Sequence, residues 1–263
     1  MKMKKIMTFV VFCLVIISCK NDDDEIICCQ QPIVTDVTFT FSHNWDDNDV
    51  NSSDFNTTQY TNANGEILTI SKIRYLLSHF ELVNTNGNSF PLTGYNLIDL
   101  SNPDSFTFNT TIADGIVYPG LYTLKFNYGF NEEDNIDGAY PDLNSASWNW
   151  PTMLGGGYHF LQFDGMFNVN TTAPSPFNYH NGTAKISDGV FEQNFVSFEF
   201  FPEIVIEPNS SIEIKMDLSE FFKNPIVWDL NTYNTSLMPN YDAQKMMQQN
   251  VGSVFSIGQI TQE

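Results

Sequence analysis

Four histidines, His43, His79, His159 and His180, are the side chains of this sequence best suited to hold a metal. Neutral imidazole suits copper, zinc and nickel, and copper(II) stands highest in the divalent affinity series. Three of the four sit near predicted strand ends, beside turns, where a β-protein gathers its functional loops. His43 closes the alternating run Val37-Thr38-Phe39-Thr40-Phe41-Ser42-His43 and precedes the polar loop Asn44 to Asp54. His159 lies in Gly157-Tyr158-His159-Phe160-Leu161, where alternation puts it on one face with Leu161 and Phe163. His180 ends Phe177-Asn178-Tyr179-His180, just before Asn181-Gly182. Taken singly, each reads as a hydrogen-bonded structural histidine; taken together, the three supply the donors of a three-imidazole site.

A second constellation is Trp148-Asn149-Trp150, directly before Pro151 and the run Gly155-Gly156-Gly157. Residues at i and i+2 of an extended segment face one side. Three readings stay open for it: core and loop packing, a stacking platform for sugars, and an oxidisable pair near a metal. Asp46-Asp47-Asn48-Asp49-Val50-Asn51-Ser52-Ser53-Asp54 has the composition of a calcium loop, but lacks the glycine and final glutamate of an EF-hand. Glu132-Glu133-Asp134-Asn135 is a similar acidic turn, and both are expected to be solvated loops. There is no G-x-S-x-G elbow, no phosphate-binding G-x-x-x-x-G-K-[ST] loop and no Cys-His spacing for structural zinc. Arg74 is the only arginine, so a bidentate clamp on a substrate anion is hardly available. No nucleophile–base pair stands out, and the expectation is a protein that is not an enzyme.

The elements that must position these residues are strands. The 263 residues carry a formal net charge of −20 and include 23 Phe, with 42% hydrophobic and 16% charged residues. Such an acid excess argues against a nucleic-acid partner, and such an apolar content against disorder. Period-2 alternation recurs in Leu121 to Phe130, in Ser211 to Leu218, and in the segments Tyr158 to Asp164 and Phe191 to Phe200. Leu68 to Val83 is long enough for one bent strand or two. Roughly eight strands between Asn-, Gly-, Pro- and Asp-rich turns predict a single all-β domain, a β-sandwich or barrel-like fold. One or two short C-terminal helices are expected, at Tyr241 to Asn250 and as a turn at Ser219-Glu220-Phe221-Phe222.

The N-terminus reads as an export and anchoring segment. Lys2, Lys4 and Lys5 precede the apolar stretch Ile6 to Ile17, which is too short to span a bilayer. Ile16-Ile17-Ser18-Cys19 resembles a lipobox, with Cys19 as the lipidated residue. The acidic run Asn21 to Glu25 that follows looks like the surface-export signal of Bacteroidota lipoproteins. The expected organisation is a signal peptide at 1–18, a lipidated acidic tether at 19–35 and the β-domain at 36–263, placed at the outer membrane or cell surface. Removing those three of the 11 basic residues leaves 8 against 31 acidic ones, a net charge of −23. Cys28 and Cys29 fall in the tether, so the domain has no cysteine to staple it.

The order of these motifs resembles the MbnP-like copper-binding proteins, named for the periplasmic methanobactin-binding protein. The resemblance rests on Phe41-Ser42-His43, Ile73-Arg74-Tyr75-Leu76-Leu77-Ser78, Gly120-Leu121-Tyr122, Trp148-Asn149-Trp150 with Gly157-Tyr158-His159-Phe160, Asp164-Gly165, Tyr179-His180 and Asp217-Leu218-Ser219-Glu220-Phe221-Phe222, across most of residues 36–256. It implies a β-sandwich that binds or handles copper. Carried over by position, it makes His43, His159 and His180 the copper candidates, with binding expected to weaken below about pH 6 as imidazole protonates. It also implies that Trp148 or Trp150 is the candidate for oxidation to kynurenine by a partner di-haem oxidase, and that His79 is incidental. A surface glycan-binding or adhesion module without metal is the second reading, and a calcium-stabilised structural lipoprotein the third.

Overall fold

The computed structural model describes residues 32–262, except the side chain of Pro202. The expected signal peptide, Cys19 and most of the tether lie outside the described residues. Fifteen strands are present: β1 (Asp36–Trp45), β2 (Asn48–Asp49), β3 (Tyr60–Thr61), β4 (Ile67–Asn84), β5 (Ser89–Pro91), β6 (Asn96–Asp99), β7 (Thr107–Thr111), β8 (Gly120–Tyr128), β9 (Leu161–Phe167), β10 (Ser175–Asn181), β11 (Ala184–Ser187), β12 (Val190–Glu192), β13 (Val196–Ile206), β14 (Ser210–Asp217) and β15 (Phe255–Gln262). Two α-helices, α1 (Pro141–Ser145) and α2 (Tyr241–Val251), and short 3₁₀ turns join these strands among the described residues.

Two sheets face each other across one core. The first runs β15-β14-β1-β2, with β7 also paired to β1. The second runs β10-β9-β4-β8-β13, with β3, β5 and β6 also on β4. β11 and β12 form a separate hairpin. The β1–β14 pairing is parallel and matches Phe39 with Ile212, Phe41 with Ile214 and His43 with Met216. The alternation seen in the sequence fixes which side chains turn inward. Val37, Phe39, Phe41 and His43 of β1 are buried, as are Tyr122, Leu124, Phe126 and Tyr128 of β8 and Ile212, Ile214 and Met216 of β14.

β4 is a single strand of 18 residues, apolar because it is covered over most of its length. Its first half pairs with β9 and its second half with β8. Bulges shift the register between Ile70 and Lys72 and between Ser78 and Glu81, and His79 in the second bulge has φ +53°. The bulges let one strand serve two neighbours by bending it. The expected strand Phe191 to Phe200 is divided between β12 and β13. On the tether side of the expected boundary, Val34 is buried and its N–H donates to the Val117 carbonyl at 2.8 Å.

α2 begins where Asn240 accepts from the Ala243 N–H at 3.1 Å, a side-chain cap. Met247 is buried and Met246 packs on the core. The turn Leu218–Phe222 buries Phe221 and Phe222 against the aromatic end of the core.

Candidate metal site at the histidine–tryptophan cluster

A short backbone ladder builds the site. The Trp150 N–H donates to the Gly157 carbonyl and the His159 N–H to the Trp148 carbonyl, each at 2.9 Å, around the bridge Asn149–Tyr158. This sets 148–150 antiparallel to 157–159 and puts both indoles beside one imidazole. His159 lies 5.4 Å from the Trp148 ring and 4.9 Å from the Trp150 ring, centroid to centroid. The turn that closes the ladder needs glycine, since Gly155, Gly156 and Gly157 all have positive φ. A Cβ on Gly182 would come within 2.6 Å of the Trp150 ring, so the neighbouring loop is glycine for close approach.

His180 comes from β10, where it pairs with Gln162 of β9. Its ring lies 5.4 Å from His159, nearly perpendicular. Its Nε2 is 2.7 Å from Asp164 Oδ1, and Asn178 Nδ2 donates to the same oxygen at 2.7 Å. Burial opposes the Asp164 charge, but the hydrogen bonds from His180 and Asn178 and the Lys72 ammonium 4.0 Å away outweigh it and hold the carboxyl below its ordinary value. With Asp164 ionised and bonded to Nε2, Nδ1 is the His180 nitrogen that the carboxylate leaves for a metal, the arrangement by which a carboxylate orients a metal-ligating imidazole.

His159 is buried and its Nδ1 has no hydrogen-bond partner. Burial first, then the positive groups His180, Lys72 and Arg74, lower its pKa to about 3. The ring is therefore neutral at physiological pH, as a ligand must be. The expected loss of binding near pH 6 does not originate at His159, because its proton competes only at far lower pH. Trp148 Nε1 and Gln162 Oε1 are also buried without partners. Such orphans are rare in native interiors and mark a place where a further group belongs.

His43 does not join this cluster. The expectation that three imidazoles converge is corrected to a pair plus one. His43 lies on the inner face of β1, with Nε2 2.9 Å from the hydroxyl of Tyr75 and its ring 5.2 Å from Phe106. Tyr75 points into the space between the sheets, where it packs on Phe255. Its neighbour Arg74 points to the other face of β4, where the guanidinium lies 4.9 Å over the Trp148 ring and 3.2 Å from Asp99. β4 thus separates His43 from the other two. Burial alone lowers the His43 pKa to about 3. His159 likewise does not share the face of Leu161 and Phe163, which lie in the central core, because β9 begins only at Leu161.

Among the described residues no three His, Cys, Asp or Glu side chains are arranged to hold a metal. The cluster fits an ion that accepts two nitrogens better than zinc, which takes three or four protein ligands. His79 lies elsewhere, 2.8 Å from Asp134 and 3.2 Å from Ser78 Oγ. That Ser-His-Asp sequence of contacts offers no nucleophile, because Ser78 is buried and donates to the Gly129 carbonyl at 2.6 Å. The acidic loop after β1 holds a protein cation: Lys223 Nζ lies 2.6 Å from Asp46 and 3.0 Å from Glu220. Trp148 and Trp150 are 0% and 1% exposed, which removes the stacking platform on which the glycan reading rested.

The family model for MbnP matches residues 34–240. The chain belongs to the MbnP family. The structure of MbnP from Methylosinus trichosporium is similar to this one at 14% identity and a TM-score of 0.55, covering 85% of this chain and 98% of that one. No curated protein matches this sequence. Membership of the MbnP family associates the chain with a copper-related function, and the structural likeness supports the β-sandwich fold. Sequence reasoning missed Asp164, Arg74 and Gln162 as parts of the cluster. Alternation within β9 was the signal available, since it turns Gln162 and Asp164 to the face opposite Leu161 and Phe163.

Proposed function

We propose that this protein is a lipid-anchored, extracytoplasmic copper-binding protein, acting by binding and not by catalysis, whose ion is held between His159 and His180. The observation that carries this reading is the unpartnered Nδ1 of buried His159, 5.4 Å ring to ring from an imidazole oriented by Asp164. A buried imidazole beside one oriented by a carboxylate, among aromatic walls, suits copper(I), an ion content with few ligands, and family membership supports copper over other metals. Copper supplies redox chemistry when bound. The protein's residues hold His159 neutral by burial, orient His180 through Asp164 and set two indoles beside His159. On this reading, Trp148 or Trp150 is the residue that a partner di-haem oxidase would oxidise. Lipidation of Cys19 fits the lipobox-like sequence before it.

Copper titration tests the assignment. The wild-type chain is expected to bind one copper, His159→Ala and His180→Ala to lose it, and His43→Gln to keep it. Equal stoichiometry in all four proteins rejects the pair. Loss in His43→Gln alone, with the fold intact by circular dichroism, moves the site to the sheet interior.

A further inference from the structure

Twelve large apolar side chains are exposed among the described residues, and six of them gather where the chain enters the domain. Ile33, Ile116 and Tyr118 are neighbours because Val34 bridges Val117. The Tyr122 hydroxyl donates to the Tyr118 carbonyl at 2.8 Å and ties this loop to β8. Leu121 and Val205 are directly paired across β8 and β13, and their partners in alternation, Tyr122 and Ile204, are buried, so this pair turns outward. Phe201, 69% exposed, stands in the bulge between Phe200 and Ile204 of the same edge strand. Scattered exposed apolar residues need no explanation, whereas a contiguous group marks a surface that is covered in use.

The covering surface follows from connectivity and charge. Pro32 begins the described chain at this end of the domain, and in sequence the lipobox-like Cys19 lies 13 residues before it, a length that reaches at most about 45 Å when extended. No Lys or Arg occurs in 32–36, 110–122 or 200–210, while Asp114, Glu203 and Glu207 do. An anionic lipid surface is therefore disfavoured and a zwitterionic one accepted. A lipid anchor on a flexible tether fixes the distance of a domain from the membrane but not its orientation, which a second apolar contact sets.

We propose that Ile33, Ile116, Tyr118, Leu121, Phe201 and Val205 form a face that rests on a zwitterionic lipid surface and sets the orientation of the anchored domain. This rests on the lipid-anchor part of the proposed function and is independent of copper.

All four natural tryptophans are buried, so a tryptophan introduced at the surface reports its own surroundings. The full chain carrying Leu121→Trp, and a second carrying Val227→Trp as an exposed control beside Trp228, are purified from membranes and checked by mass for acylated Cys19. They are then reconstituted into phosphatidylcholine–phosphatidylethanolamine vesicles containing acyl-brominated lipid. Leu121→Trp is expected to lose most of its added emission and Val227→Trp none. Quenching of both or of neither overturns the resting face and leaves the anchor standing. An unacylated Cys19 overturns the anchor, and the face with it. If Ile116→Ser/Phe201→Ser, added to Leu121→Trp, keeps full quenching, the face is also rejected.

Discussion

At the residue scale, His43 and His159 are neutral side chains kept where charge is unwelcome. Both have folded pKa values of about 3 against about 6.5 unfolded. As pH falls through this window the unfolded chain takes up protons first, so stability is complete above about pH 6.5 and declines towards pH 3. Each histidine costs about 2 kcal/mol at pH 5 by this linkage. Melting temperature measured in metal-free buffer is expected to fall between pH 6.5 and 4, and His43→Gln to flatten the decline by roughly one proton. An unchanged slope in that variant contradicts the neutral, buried assignment. The misplacement of His43 was avoidable in part. Its position at a strand end suggested a functional loop, but its alternation with Val37, Phe39 and Phe41 already put it on the core face. Nothing local to the sequence says on which side of a second sheet that face will lie. His159 and His180 come together through a backbone ladder and a strand register, and both are long-range facts.

At the element scale, the long strands were legible because alternation leaves a clear record in eight to ten residues. β2, β3, β5 and β6 were not, since two to four residues carry no period. The helix expected at Tyr241 to Asn250 is α2, and its Asn240 cap was not among the signals read from the sequence. The glycine of β9 tests how tightly the elements meet. A Cβ on Gly165 would run into the Thr69 backbone carbonyl of β4 and the Phe177 ring of β10, neither of which can turn aside. Gly165→Ala is therefore expected to cost about 1–3 kcal/mol or more, read as a lower denaturation midpoint. A Cβ on Gly258 in β15 meets the Glu213 side chain first, which can move aside more readily than backbone or a ring, so Gly258→Ala is expected to cost less. Equal losses contradict the close β4–β9 contact. Loss of copper stoichiometry in a folded Gly182→Ala protein further ties Trp150 to the site, since that ring is the nearest group in the way.

At the scale of the whole molecule, an acid excess surrounds an aromatic core. Net charge of −20 stores self-repulsion in the compact state. Raising sodium chloride from about 10 mM to about 500 mM shortens the Debye length from about 30 Å to a few ångströms, so the melting temperature is expected to rise. A fall with salt makes the few ion pairs, such as Lys223–Asp46, dominant over the general repulsion. The parallel seam between β1 and β14 carries a different consequence. Ser42 donates to Glu213 at 2.6 Å across 171 residues of chain, so the first strand to emerge from an export channel is completed by one of the last. On the proposed secretion route, β1 meets β2 and β7 early but carries its other edge open through most of translocation, and the β1–β14 seam closes only once residue 217 is across.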